Sequence, residues 1–156
     1  MPDAIRSPMK RRPLRLKRVY DPPSIADGTR VLVDRLWPRG LSRHEVSADL
    51  WLREAAPSPA LRRWFGHDAR RWHQFTRKYR NELARQPEVL ELLDDLRRRA
   101  PVTLIFGARD PDHNNAVVLR QILEKEPLPC RAPATKSSPP PSARGRSRKP
   151  KPSSCR

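Results

Sequence analysis

The sequence predicts an α/β fold: a small, largely parallel sheet flanked by helices, with disordered termini. Three observations carry this. β-prone segments fall at 15–20, 30–37 and 102–106, with helical stretches between the second and third and after the third, the strand, strand, helices, strand, helix order of a layered α/β domain. The segment Val102-Thr103-Leu104-Ile105-Phe106 is almost continuously apolar, as in a strand buried on both faces. Charge is also unevenly spread. The 156-residue chain has a net charge of +17, yet residues 19–126 carry 19 basic residues against 16 acidic ones. Residues 1–18 carry seven basic residues and one acid, and residues 127–156 eight basic residues and no acid. A balanced middle of about 110 residues is large enough to bury one core. The termini are too polar to offset the entropy of ordering them. The expected organisation is a basic N-terminal arm at 1–14, an α/β domain at 15–126 and a Pro-rich basic tail at 127–156.

The elements follow in order. Arg15 to Tyr20 alternates as a strand and stops at Asp21-Pro22-Pro23. Asp27-Gly28 makes a turn. Arg30 to Trp37 reads as a central strand ended by Pro38-Arg39-Gly40. Ser42-x-x-Glu45 fits a capping box, and Leu50, Trp51 and Leu52 give a helix through 49–54 a wide apolar face. Ser58-Pro59 places a cap before Pro at the first helical position, and that short helix ends at Gly66. Asp68 caps a longer helix in which Trp72, Phe75, Tyr79 and Leu83 form an amphipathic stripe. Pro87 opens a further helix, with Arg97-Arg98-Arg99 in its last turn, where cations favour the dipole. After the buried strand, Asp110-Pro111 is expected to start a last helix running to about Lys125.

In parallel sheets, ligands collect beyond the carboxyl ends of strands. Two polar clusters fall there: Asp34 to Gly40, and Gly107 to Asn115. Asp34 is a charged residue in an apolar strand, and burying it is costly unless it serves a polar site. Arg35, Arg39 and Arg109 suit a carboxylate or phosphate. His113 carries the side-chain type suited to acid–base work at neutral pH, and it and Asp34 are the acid–base candidates. Asn114 and Asn115 are placed to orient a ligand. Of the other histidines, which show no metal-ligand spacing, His67 is the best placed, on a loop beside a carboxylate. Cys130 and Cys155 form no Cys-x-x-Cys motif, and no metal or cofactor is expected.

The tail carries Arg144-Gly145-Arg146 with Arg148 and Lys149, a centre similar to an AT-hook but with Ser147 where that motif has Pro. Eight basic residues suit salt-sensitive, non-specific polyanion binding. No apolar run approaches membrane-spanning length and no secretory leader is evident, so a cytoplasmic protein is expected.

Arg18-Val19-Tyr20-Asp21-Pro22, the string Gly28 to Gly40 with its Asp34-Arg35-Leu36-Trp37-Pro38-Arg39-Gly40, then Trp64-Phe65, Val102 to Phe106 and His113 to Leu119 together resemble the domain-of-unknown-function 488 family in its YeaO-like branch. The resemblance covers about residues 15–125. It implies a small cytoplasmic bacterial α/β protein with no established activity. It also implies a His where this chain has Asn115, and Lys at Arg109. The expected function is therefore a polar pocket for a small anionic ligand, as an enzyme of unspecified reaction or a degenerate relative of one. The alternative is nucleic-acid or polyanion binding through the tails.

Overall fold

The structure is a computed structural model and describes residues 11–125. Expectations for 1–10 and 126–156, the basic tail among them, lie outside the described residues. Four strands, β1 (Leu14–Arg18), β2 (Thr29–Leu32), β3 (Leu50–Trp51) and β4 (Val102–Phe106), form one sheet in the order β1-β4-β2-β3. Every pairing is parallel. The helices are α1 (Arg43–Val46), α2 (Pro59–Phe65), α3 (Trp72–Ala84), α4 (Pro87–Arg99) and α5 (Asn115–Lys125). Residues 11–14, the end of the expected arm, lie on the body. Arg11 pairs with Asp94 at 3.1 Å, and the Arg12 N–H donates to the Arg97 carbonyl at 3.3 Å.

Alternation along the strands divides the core. Val31, Val102, Leu104 and Phe106 face the larger cluster, which contains Phe65, Phe75, Tyr79, Leu93 and Leu119 from α2 to α5. Leu32 and Ile105 face the other way, into a smaller cluster with Val19 and Val46, flanked by Trp37 and Trp51. β4 is buried along its whole length, as its apolar run requires.

Two expected helices are corrected. The capping box at Ser42 forms, with Ser42 Oγ accepting from Glu45 N at 3.3 Å, but α1 lasts one turn. The buried Arg30 guanidinium closes its end by donating to the carbonyls of Val46 and Ser47 at 3.0 Å each. Ser47 then turns left-handed (φ 46°), and Leu50–Trp51 pair with Val31–Leu32 as an edge strand. Pairing to an open sheet edge outweighs the helical pattern of 49–54.

The last helix starts at Asn115 and not at Pro111. Asp110 Oδ1 accepts from the N–H groups of Asp112 and His113, as a cap does. Yet the buried Asn114 Nδ2 donates to the Asp110 and Pro111 carbonyls at 2.9 and 3.1 Å, ending that turn. Asn114 Oδ1 then receives Val117 N at 3.2 Å and caps α5. The strand expected at 30–37 likewise ends at Leu32, which leaves Asp34 just past the carboxyl end of β2.

Candidate functional site

The ends of β2 and β4 leave side by side, and the residues after them build a pocket of about 370 Å³. Asp34 lies at its floor. Its Oδ2 accepts the Gly107 N–H at 2.7 Å, and the Asn115 side chain also bonds this carboxyl. Gly107 suits the place because a Cβ there would stand 3.1 Å from Asp34 Oδ2. Burial pushes the Asp34 carboxyl above its ordinary range, although the Gly107 N–H, Asn115, Arg62 and His67 all act to lower it. Asn115 Nδ2 donates to the Val33 carbonyl at 2.8 Å, which ties the start of α5 to the end of β2. Tyr79, buried below, donates to the Ala55 carbonyl, and burial with the charges of Glu82 and Asp34 holds its phenol protonated.

The walls are apolar and aromatic: Ala56, Pro57, Phe65, Phe75 and Trp37, with exposed Leu36 and Tyr20 at the mouth. Arg35, Arg39, Arg62 and His67 bring positive or titratable groups to the rim. Among the described residues, neither Arg35, Arg39 nor Arg62 has an ion-pair partner. A left-handed turn places His67. Gly66 caps α2 at φ 53°, and His67 follows at φ 58°, a conformation few side chains adopt.

The structure thus brings Asp34, Arg35, Arg39, Asn114 and Asn115 together around one cavity. It does not bring the other two candidates there. His113 lies outside the lining: its Nδ1 meets Asp110 Oδ2 at 2.8 Å, and its ring packs edge-on against Trp72. Arg109 is exposed and also outside. Position beyond the end of the strand selects both, but the bond to Asp110 and the packing on Trp72 hold His113 outside the lining. Asn114 lines the pocket with its amide wholly committed to the cap, so it shapes the site without a free donor. Arg62 was missed because it reads as a helix surface residue. Its signal was position, one turn before Gly66-His67. Arg144, Arg146, Arg148 and Lys149 lie outside the described residues. Among those described, no group of three or more His, Cys, Asp or Glu is placed to hold a metal ion, and no helix is long and apolar enough to cross a membrane.

Residues 13–142 match the family model described as "Inactive DUF488-N3 subclade". The chain belongs to the DUF488 family. This DUF488 chain is 39% identical over 106 residues to the uncharacterized protein YeaO of Escherichia coli K12, covering 68% of the chain and 92% of YeaO. It is 36% identical over 110 residues to uncharacterized proteins of Mycobacterium bovis and Mycobacterium tuberculosis, covering 70% of the chain and 92% of each. No solved structure matches.

Proposed function

We propose that this DUF488 protein binds a small anionic ligand in the pocket beyond β2 and β4, without turning it over. The observation that carries the reading is the charge around the cavity. Three guanidiniums without ion-pair partners among the described residues, and one histidine, surround a floor with a single half-buried carboxyl. Unpaired guanidiniums facing apolar walls are placed for charge-assisted, bidentate contact with a phosphate or carboxylate. The Asp34 carboxyl sits deepest, where it meets a donor group on the ligand's uncharged end. The subclade's description as inactive supports binding over catalysis, as does the position of His113 outside the lining.

The test is thermal unfolding at low ionic strength with inorganic phosphate, sulfate or citrate at millimolar concentration. A ligand at a hundred times its Kd stabilises by about 2.7 kcal/mol, a rise of several degrees in Tm for a domain this size. At least one of these anions raises Tm, and Arg39→Ala and Arg62→Ala each remove most of the rise. No rise with any anion, or a rise that both variants keep, overturns the reading.

A further inference from the structure

We propose that the outward face of the α2–α3 hairpin binds the phosphodiester backbone of single-stranded nucleic acid. Residues 61–85 carry eight Arg and Lys against two acids. By contrast, residues 86–125 carry six basic residues against seven acids, so the excess is local to the hairpin. On α3 the core stripe is Phe75, Tyr79 and Leu83. At 100° per residue, Arg77, Lys78 and the C-terminal Arg85 fall on the opposite half of the helix, and all three are exposed, as is Arg70 in the turn before it.

Both acids of the hairpin are engaged at helix starts, Asp68 as a cap and Glu82 on the capping residue Ser58. Glu82 accepts from Ser58 N and Oγ at 2.9 and 2.5 Å. Asp68 accepts from Arg70 N at 3.0 Å and pairs with Arg70 and Arg71. Neither acid therefore pairs with the exposed Arg77 or Lys78. Arg77 and Lys78 have no ion-pair partner among the described residues.

Aromatic rings decide the class of polyanion. Half-buried Trp64 lies between two cations, with Arg71 Cζ 5.4 Å and Lys78 Nζ 5.3 Å from its ring centroid. Further round α3, a separate groove of about 410 Å³ toward α5 is lined by Trp72, His73, Arg77 and Gln121. Cations alternating with ring systems match a strand of phosphates and stackable bases. An acidic peptide needs the cations and has no use for the rings.

The experiment is fluorescence anisotropy of the full chain with a labelled twenty-residue oligothymidine, from 0.05 to 0.3 M salt. Each phosphate contact on a single strand contributes about 0.7 to the slope of log K against log salt. Arg77→Gln with Lys78→Gln lowers the slope by about 1.4, and weakens binding roughly 25-fold at 0.1 M salt on that same scaling. The loss recurs in a full chain with Arg144, Arg146, Arg148 and Lys149 changed to Ala, which separates the hairpin from the tail. Both substitutions are on exposed side chains and leave Tm unchanged. The proposal is overturned if the unaltered chain does not bind the oligomer, or if the double variant binds as well as it does. Displacement of the oligomer by polyglutamate at equal charge points to an acidic protein partner, and preference for a duplex removes the single-strand assignment; either overturns it too.

Discussion

The two ends of the parallel sheet hold charged clusters of similar composition and opposite bonding. At the amino end, Asp27 accepts from Arg30 and Lys17 and from the Ser24 N–H, and Arg30 donates onward to the carbonyls of Val46 and Ser47. Thr103 Oγ1 donates to the Asp27 carbonyl at 2.7 Å. Asp27 and Arg30 are 5% and 4% exposed and have a charged partner in each other. At the carboxyl end, Asp34 meets only neutral donors directly, while Arg35, Arg39 and Arg62 face a cavity without ion-pair partners among the described residues. Buried charge that is fully paired holds a fold together; charge left without protein partners around a hollow is available to a ligand. The difference lies in the bonds, since both ends offer Asp and Arg.

Substitutions at the amino end break the comparison hardest. Gly28, at φ 65°, holds a backbone shape that side chains rarely adopt, and an added Cβ would stand 2.1 Å from the Pro101 carbonyl oxygen. That oxygen receives Thr29 N at 2.8 Å and is not free to move. Gly28→Ala loses on the order of 4 kcal/mol of unfolding free energy in urea titration. Arg30→Met follows at about 3 kcal/mol, because Asp27 keeps its charge and loses its buried partner. An Arg30→Met protein as stable as the parent would make the amino-end network dispensable.

At the carboxyl end the expected stability effect is smaller. Gly107→Ala brings a Cβ to 3.1 Å from Asp34 Oδ2, so the carboxylate shifts by a few tenths of an ångström. The cost is about 1 kcal/mol, and a larger share of the effect appears as weakened anion binding.

Legibility in the sequence followed the locality of the physics. β4, α2, α3 and α4 are set by runs, caps and periodicity within a dozen residues, and Pro59, Gly66 and Pro87 mark their ends as expected. β3 was hidden because its pairing depends on the Arg30 side chain closing α1 from 16 residues away. The start of α5 was misplaced because Asp110-Pro111 and Asn114 are both good caps, and only the bonds of Asn114 to the preceding carbonyls decide between them. The pocket's Asp34, Arg35, Arg39 and Asn115 were legible from their place after strand ends. Arg62 and His67 were less so, since they arrive from α2 and the left-handed turn behind it.

The last comparison is a pH profile, in which the two aspartates have opposite signs. Burial favours the neutral form of Asp27, but the Ser24 N–H, Lys17 and Arg30 outweigh it and hold the carboxyl below its ordinary value. Its contribution is present above the unfolded-state pKa and is lost as pH falls through the folded one. Burial wins at Asp34, whose carboxyl is raised. There the folded chain holds a proton more tightly than the unfolded chain, so stability is greatest at low pH and declines as pH rises from the unfolded to the folded pKa. Asp34→Asn removes that decline and keeps an acceptor for the Gly107 N–H. At neutral pH it is as stable as the parent within about 1 kcal/mol, and its urea midpoint is flat across the window where the parent's Asp34 term falls. The same substitution weakens any ligand that donates to the pocket floor. A loss at Asp34→Asn as large as that at Arg30→Met would place both aspartates in the same structural class, and the carboxyl end of the sheet would lose its distinction from the amino end.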